Sequence, residues 1–383
     1  MIKKPELLMP AGSVEAFHAA IEGGADAVYL GLREFNARGR AHNFSPHQLS
    51  VIIKKARQAR KKVYVTLNTL IKNRELPQLL ETLHLLEKLE PDAVIIQDWG
   101  VYYLIKTHFP TLTVHASTQM GNHNSAGAVF SGKKQIERII LARELTMDEL
   151  QQISKKSQVE LELFIHGALC YSFSGMCLFS SFLGGQSANR GLCKQPCRRA
   201  YISDKNQDYF FNLKDNQQLN QLESLAKAGI TSLKVEGRLK SAEYVHRVAM
   251  AYRMVLDDPG KKKEAEKLLS MDLGREKTGY FLAGNVKSAI SKDTYTGMLL
   301  GEIKNITAGK ITFNSPVEIK TANRLRVKPK TASEGKAFKV QHVTVENDLY
   351  HVKGLIPKDA QPGDQIYLTD LRQEKFPSKI DTS

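Results

Sequence analysis

Eight short apolar runs recur through the first 240 residues, and amphipathic stretches separate them. Near-continuous apolar runs with helical patterns between them are typical of parallel strands covered on both faces. The runs are Glu6–Met9, Ala27–Gly31, Val63–Leu67, Ala93–Ile96, Leu112–His115, Arg138–Ala142, Glu160–Ile165 and Ser232–Val235. Eight such strands predict a TIM-like (β/α)8 barrel, an α/β fold. A doubly wound open sheet is the alternative, because counting runs does not establish closure.

The pattern changes from about Gly284 onward, where short alternating runs are broken by Gly, Pro and Asn. This predicts a small antiparallel β-barrel or sandwich. We therefore expect a catalytic barrel over residues 1–283 and a small C-terminal β-domain over residues 284–383. Between the last two barrel strands, the segment LKDN (residues 213–216) is typical of a helix start.

The chain has no run near the roughly 18 apolar residues that a membrane helix needs. Its N-terminus, MIKKPELLMPAG, is too short in apolar residues for a signal-peptide core. We expect a cytoplasmic protein with no membrane partner. In that reducing compartment, clustered cysteines are more often metal ligands or redox groups than disulfides.

A basic segment lies between Glu34 and Glu75, which hold no acidic residue between them, in a chain of net charge +15. A solvated helix face usually mixes both signs, so the segment indicates a polyanionic partner such as RNA. The predicted RNA-binding residues are Arg38, Arg40, Lys54, Lys55, Arg57, Arg60, Lys61 and Lys62.

All four cysteines fall in one window directly after the seventh strand, with the spacing Cys170-x6-Cys177-x15-Cys193-x3-Cys197. The window therefore predicts an insertion at the barrel mouth. Four thiolates can saturate either a zinc ion or an iron-sulfur cubane. Structural zinc sites favour tight C-x2-C pairs, which are missing here, so the spacing favours a cluster. Zinc and buried unligated thiols are the alternatives. Basic residues beside the last two cysteines would place this group in a positive field.

Polar side chains follow several of the predicted strands, where the active sites of this fold lie. We expect Arg143 and Arg238 to bind the carboxylates of an anionic co-substrate, because guanidinium groups bind carboxylates bidentately. His115, His166 and Glu236 are the candidates for proton transfer. These roles follow from position alone, and for each residue a cap, a turn or a core hydrogen bond is the alternative.

Several motifs resemble the collagenase-like U32 peptidase family. In the cysteine window they are HGALC, SG-x-C, SANRG-x-C and QPCR, and elsewhere ELLMPAG, GADAVYLG, VTLNT, VHASTQ, LARELT and SLKVEGRLKS-x-EYV. The likeness spans essentially the first 250 residues in the same order. Although the family name implies a protease, members with this cysteine window are oxygen-independent hydroxylases.

The resemblance implies a 4Fe-4S cluster held by Cys170, Cys177, Cys193 and Cys197. It also implies hydroxylation at C5 of a pyrimidine in rRNA or tRNA, with prephenate as co-substrate in the RNA branches. HASTQ, SANRG and the FNAR loop look most like the ribosomal-RNA branch, whose members are commonly longer than this chain. The alternatives are a collagenase-like peptidase, for which Ser117 near His115 is a weak candidate pair, and a ubiquinone-ring hydroxylase subunit.

Overall fold

The computed structural model describes residues 4–39, 41–204, 206–292, 297–307, 309–330, 335–370 and 376–378. The chain forms two compact units. One comprises Met1–Glu266, Glu276–Asp293 and Phe376–Ser383, and the other comprises Lys267–Arg275 and Thr294–Lys375. Within the described residues, no helix combines the length and the hydropathy needed to cross a membrane.

Strands and helices alternate from the first strand to the helix that follows the seventh strand. In chain order the strands are β1 Glu6–Pro10, β2 Ala27–Gly31, β3 Lys62–Leu67, β4 Ala93–Ile96, β5 Val114–Ala116, β6 Arg138–Ile140, β7 Glu160–Ala168, β8 Tyr201–Ser203, β9 Asn206–Asp208, β10 Asp215–Gln217, β11 Ser232–Val235, β12 Lys277–Thr278, β13 Met298–Glu302, β14 Asn305–Thr307, β15 Lys310–Phe313, β16 Arg324–Lys328, β17 Lys336–Glu346, β18 Leu349–Gly354 and β19 Gln365–Asp370. The helices are α1 Val14–Glu22, α2 Pro46–Gln58, α3 Leu76–Leu89, α4 Trp99–His108, α5 Ser125–Lys133, α6 Met147–Lys156, α7 Phe179–Gly184, α8 Leu222–Lys227, α9 Ala242–Asp257 and α10 Lys262–Leu269.

Eight parallel strands close into a barrel. Strands β1 to β7 pair in order, and β11 pairs with both β7 and β1. Every one of the eight predicted runs overlaps an observed strand, so the predicted barrel is confirmed and the open sheet is excluded. The predicted helix start at residues 213–216 is wrong: Asp215–Gln217 is β10, which pairs antiparallel with the end of β7.

The helices begin where short polar side chains can cap them. Ser45 accepts a hydrogen bond from the Gln48 backbone amide, and the Gln48 side chain accepts one in return from the Ser45 amide. Thr146 and Glu149 make the same reciprocal pair at the start of α6. Each cap provides hydrogen-bond partners for backbone amides at the start of a helix. The caps therefore fix the residues at which the loops after β2 and β6 end and the helices begin.

The interior of the barrel near the strand starts holds a buried ionic network. The Arg138 guanidinium donates to Glu6 at 2.6 Å, to Glu162 at 3.2 Å and to Glu160 at 2.8 Å. Lys234 donates to Glu162 at 2.7 Å. An apolar layer that includes Leu8, Tyr29, Tyr64, Ile95, Ile140 and Phe164 also fills the interior. The ring of Phe164 is contacted by Lys234 and by Arg143, which follows β6.

The second unit is a seven-stranded antiparallel sheet in the order β13-β19-β16-β17-β18-β15-β14. Its core includes Ile311, Phe313, Leu325, Phe338 and Val352. Buried and exposed residues alternate along β16, as expected for a strand with one face on a core. The antiparallel C-terminal sheet predicted from the alternating runs is therefore confirmed.

Candidate functional site

The mouth of the barrel is organised around the buried side chain of Arg238, which follows β11. One terminal nitrogen donates to the Thr66 hydroxyl at 2.8 Å, and the other donates to the side-chain oxygen Oδ1 of Asn36 at 2.6 Å. Gly31 leaves room for this fork, because a Cβ at that position would lie 2.7 Å from the Arg238 guanidinium. Arg238 is only 4% exposed, and burial lowers its pKa to about 10.

An ion pair joins two other mouth residues, Arg38 from the loop after β2 and Glu236 at the end of β11. Their side chains meet in two contacts of 3.1 and 3.3 Å. Burial acts to raise the pKa of Glu236, but the charges of Arg38, Arg143 and Arg238 outweigh it and hold the pKa below its usual value. Glu236 is therefore ionised at neutral pH and accepts hydrogen bonds.

Arg143 lies between the mouth and the cysteine insertion. Its guanidinium donates to the Ala168 carbonyl at 3.0 Å and lies 4.7 Å from the centre of the Phe164 ring. Its backbone amide donates to the Ser174 hydroxyl at 3.2 Å, and Ser174 donates in turn to the adjacent Glu144 carboxylate at 2.6 Å. The loop after β6 therefore fixes the first turn of the insertion.

The four thiols are free and partly buried. Burial raises the pKa of Cys170 and of Cys197, and the charges of the other cysteines raise both pKa values further. The positive charge of Arg143 acts in the opposite direction on Cys170. The thiols are thus close enough to influence one another, and Cys170 is within electrostatic reach of the mouth.

Backbone amides point at two of the sulfurs. The Phe179 amide donates to Cys177 Sγ at 3.4 Å, and the Gln195 amide donates to Cys193 Sγ at 3.3 Å. Four thiols with amide donors match the donor chemistry of an iron-sulfur cluster. Among the described residues, no group of three His, Cys, Asp or Glu side chains is arranged to hold a single metal ion.

The insertion is anchored to the barrel by two of the arginines that lie near the last two cysteines in the sequence. Arg190 pairs with the carboxylate of Glu75 at 2.5 Å, in the turn before α3. Arg198 donates to the Asn212 side chain at 2.8 Å and to the Leu169 carbonyl at 2.8 Å. Gly191, with φ of +78°, lies so close to the loop after β2 that a Cβ would be 2.6 Å from the Asn36 carbonyl oxygen. These contacts seat the insertion on the mouth.

Aromatic side chains pack together within the insertion. The Phe211 ring lies 5.1 Å from Tyr171, 5.9 Å from Phe179 and 5.4 Å from Tyr201, between ring centres. Tyr201 also donates a hydrogen bond to the Pro196 carbonyl, one residue before Cys197. These partly exposed rings therefore form an aromatic cluster within the insertion.

The two predicted histidines make other contacts than the arginines and Glu236 at the mouth. His115 lies inside the barrel, 1% exposed, with its ring 4.8 Å from that of Tyr64. Burial and the charges of Arg138, Lys234 and Lys62 lower its pKa well below the usual value. His166 faces α9, where its Nδ1 lies 3.2 Å from the Tyr252 hydroxyl. Proton transfer by either histidine stays a prediction.

The predicted RNA-binding residues also separate. Arg38 is at the mouth, whereas Lys54, Lys55 and Arg57 lie in the second half of α2, and Arg60, Lys61 and Lys62 follow it up to the start of β3. Because α2 has 13 residues, or about 20 Å, the two groups lie toward opposite ends of the barrel. Arg40 is outside the described residues.

Near the end of α2, a surface pocket of about 340 Å³ is lined by Lys54, Arg57 and Lys88, among others. Two of the cations have carboxylate partners from distant segments: Arg57 contacts Glu90 at 3.3 Å, and Lys62 contacts Glu6 at 3.7 Å. The segment without acidic residues is thus partly neutralised by the fold. RNA binding by these residues remains a prediction.

Sequence reasoning assigned no role to several residues that shape the mouth. Asn36 and Thr66 hold the Arg238 fork, and Glu75 and Glu144 hold the insertion. Asn36 and Thr66 lie inside the FNAR and VTLNT motifs, so the resemblance to the family could have pointed to them. Their partners are distant in sequence, and no local pattern connects them.

Comparison with known proteins connects the chain to a described family. A family model described as "Peptidase family U32" matches residues 12–291, which begin just after β1, include β2 to β12 with the insertion, and end before β13. The tRNA hydroxylation protein P of Haemophilus influenzae is 32% identical over 323 residues, 70% of this chain and 70% of that protein. A 23S rRNA 5-hydroxycytidine synthase of Escherichia coli is 37% identical over 259 residues, 66% of this chain and 39% of that protein. A collagenase of Porphyromonas gingivalis is 33% identical over 273 residues, 66% of this chain and 65% of that protein.

Proposed function

The chain belongs to peptidase family U32, and from that premise we propose that it is an RNA-modifying enzyme that hydroxylates a pyrimidine at C5 in rRNA or tRNA. The names of two relatives, a tRNA hydroxylation protein and an rRNA 5-hydroxycytidine synthase, support this reaction class. We further propose that the reaction uses no molecular oxygen and takes prephenate as its co-substrate.

The position of the cysteines beside the mouth is the observation that carries the proposal. Cys170 comes two residues after β7 ends, and the Arg143 charge acts on its thiol. The Cys170 charge in turn contributes to a raised pKa of Arg38, although the largest contribution there is Glu236. A redox group at the cysteines would therefore adjoin the place where this fold binds substrates.

We assign Cys170, Cys177, Cys193 and Cys197 as the ligands of a 4Fe-4S cluster. Such a cluster supplies one-electron transfer when bound. The amides of Phe179 and Gln195, which donate to two of the sulfurs, would tune its potential.

Three arginines have different roles in this proposal. Arg143 is partly exposed and is assigned to a carboxylate of an anionic co-substrate such as prephenate. Arg38 has both terminal nitrogens on protein oxygens, those of Ala37 and Glu236, so its charge offsets that of Glu236. Arg238 has both terminal nitrogens bonded within the protein, so it acts as a positioning residue that fixes Asn36 and Thr66. Glu236 orients Arg38 and, as an ionised carboxylate, can accept a proton.

A base inside folded RNA must leave its stack before a side chain in the mouth can reach it. Extrusion of a pyrimidine costs a few kcal/mol, which contacts to the RNA backbone must offset. The basic groups beside the mouth and elsewhere on the chain fit that role, since neutralising phosphates supplies most non-specific RNA affinity.

Peptidase activity is the second candidate, favoured by the similarity to a collagenase. A serine peptidase needs a base within hydrogen-bonding reach of the nucleophile. Ser117 accepts a hydrogen bond from the Gln119 amide, and His115 Nδ1 is buried without a partner among the described residues. Ser117 and His115 are therefore not hydrogen-bonded to each other, so this pair does not supply the nucleophile and base that a serine peptidase needs.

The proposal is tested by nucleoside mass spectrometry of rRNA and tRNA from a strain that lacks the gene. We expect one 5-hydroxypyrimidine to disappear and to return with the parent chain. It should not return with Cys170→Ala or Cys193→Ala, whereas the exposed Leu183→Ser in the same insertion should restore it. Unchanged pyrimidine hydroxylation in both RNAs would remove the assignment.

The cluster is tested separately by anaerobic purification with iron and sulfide analysis and paramagnetic-resonance spectra. We expect about four irons per chain in the parent and almost none in the cysteine variants. Zinc without iron would refute the cluster. Peptide cleavage that survives alanine at all four cysteines would favour the peptidase, and co-purification with a homologous chain would favour a quinone-ring hydroxylase subunit.

A further inference from the structure

The C-terminal sheet carries a row of basic side chains across three neighbouring strands. Lys310 on β15 lies directly opposite Lys353 on β18, and Lys353 lies opposite His342 on β17. All three residues are exposed. We call this set the basic row. It lies beyond residue 291, where the match to the family ends.

The three side chains project from the same face because the strand alternation fixes their direction. Ile311 and Val352, the next residues on β15 and β18, are a cross-strand pair and are fully buried in the core. Lys310 precedes Ile311 and Lys353 follows Val352, so both point outward. His342 also points outward, because it follows a register shift in β17 and the next residue, Val343, pairs with Val352 and packs against the core. With about 4.8 Å between neighbouring strands, the row is about 10 Å long.

The row is unfavourable for the isolated protein. Like charges directly opposite each other on a sheet lower stability by some tenths of a kcal/mol. Other lysines of this unit have carboxylate partners: Lys336 contacts Asp359 at 2.8 Å, and Lys320 contacts Glu318 at 3.1 Å. Within the part of the chain that the structure describes, no ion pair joins Lys310 or Lys353 to a carboxylate.

A second like-charge pair lies on the same outer face. Arg324 on β16 is opposite Lys339 on β17, and both are exposed. Lys339 stands between Phe338 and Val340, which point into the core, so it projects outward as His342 does. Asp370 lies across from Arg324 on the other side, which leaves Lys339 as the main extension of the basic row.

We propose that the basic row binds the phosphate backbone of RNA. The identity of the polyanion rests on the proposed function, whereas the presence of an anion-binding surface rests on the strand register. A nucleic-acid strand carries one phosphate per 3.4 Å of helix axis, so a row of about 10 Å faces about three phosphates. A bound phosphate backbone also removes the repulsion between Lys310 and Lys353.

The test measures the affinity of the intact chain for a fluorescent 30-nucleotide polyuridine by anisotropy, between 50 and 200 mM KCl. The variant Lys310→Ser/Lys353→Ser removes two cations of the row. The matched control, Lys320→Ser/Lys336→Ser, removes two cations of the same unit that already have carboxylate partners. Both double variants change the net charge equally.

We expect the slope of log affinity against log salt to become shallower by about 1.4 in the row variant, at about 0.7 for each single-strand phosphate contact. The parent then loses about sevenfold more affinity than the row variant over this salt range. The control should keep the slope of the parent. The melting temperature of the row variant should not fall, because the variant removes a repulsive pair.

Equal slopes for the parent and the row variant would overturn the proposal, and so would equal changes in both double variants. Retained RNA affinity with lost binding to phosphatidylserine vesicles would overturn it in favour of a membrane surface. The assay needs no turnover, so it separates the two proposals. If the row variant has a shallower slope than the parent but no RNA hydroxylation is found in cells, the enzyme assignment alone is refuted. If hydroxylation is found but the two slopes are equal, the basic row alone is refuted.

Discussion

Replacing Glu162 by glutamine tests the buried ionic network inside the barrel. Glu162 is fully buried and accepts hydrogen bonds from Lys234 at 2.7 Å and from Arg138 at 3.2 Å. Glutamine keeps the shape of the side chain but removes its charge, so two buried cations lose a counter-charge. The matched control is Glu160→Gln, because Glu160 contacts the same Arg138 with a side chain that is 40% exposed.

The expected magnitudes follow from burial. Breaking a buried pair by removing one partner costs about 3–5 kcal/mol, whereas an exposed pair contributes about 0–1 kcal/mol. For a unit of this size, 1 kcal/mol corresponds to about 2 °C in Tm. We therefore expect Glu162→Gln to lower Tm by about 6–10 °C and Glu160→Gln by at most about 2 °C, by scanning fluorimetry at pH 7.

The pH dependence of Glu162→Gln gives a further check. Burial lowers the pKa of Lys234, and the charge of Glu162 opposes that effect in the parent. Without Glu162 the folded pKa falls further below the unfolded value, so the unfolded state binds more protons in the interval between them. Stability then rises with pH over that interval. The Tm deficit should shrink between pH 7 and pH 9.5.

Equal Tm losses for Glu162→Gln and Glu160→Gln would refute the reasoning, because the two variants differ mainly in burial. A deficit in Glu162→Gln that stays constant or grows toward pH 9.5 would show that Lys234 does not carry the uncompensated charge. Loss of all folded protein in Glu162→Gln would be followed with the milder Ser232→Ala, which removes only a hydroxyl donor to Glu162.

Three further predictions concern the mouth and the barrel interior. Arg238→Lys should lower RNA hydroxylation about tenfold or more, because one ammonium cannot replace the fork to Thr66 and Asn36 and a hydrogen bond to a charged group contributes about 1.5–3 kcal/mol. The Tm of His115→Asn, measured relative to the parent, should be higher at pH 5 than at pH 7.5. The parent holds His115 neutral in the fold, which costs about 2 kcal/mol of folding free energy at 1.5 pH units below the unfolded pKa, and asparagine does not titrate. Alanine at Arg190 and Glu75, singly and together, should give a coupling of about 1 kcal/mol in a double-mutant cycle and faster proteolysis of the insertion.

Each of these has a result that would contradict it. Arg74→Lys, at an exposed arginine in the turn before α3, is the control for Arg238→Lys, and equal activity in the two variants would remove the positioning role. A Tm difference between His115→Asn and the parent that is independent of pH would mean that His115 titrates normally in the fold. The exposed Lys227 and Glu223 pair is the reference for the cycle, and a coupling at Arg190 and Glu75 no larger than in that pair would deny an anchoring role.

The barrel could be predicted from the sequence because its signals are local. Each strand is one apolar run, such as Ala27–Gly31 or Ala93–Ile96, and burial on both faces requires apolar residues throughout. The cysteine window was equally plain, since all four thiols lie within one loop after β7. In contrast, β10 is too short and polar for a strand signal and exists because the end of β7 offers it an edge.

Only the tertiary structure decided which polar groups meet. Arg38 and Glu236 are 198 residues apart, Arg238 and Thr66 are 172 apart, and Arg190 and Glu75 are 115 apart. Closure of the barrel brings these residues together, and it also separates Arg38 from the cations at the end of α2, which look continuous in the sequence. Composition and periodicity record which residues are buried, because burial acts on each residue separately. Ion pairs and hydrogen bonds depend on two positions at once, so they are fixed only when the chain closes.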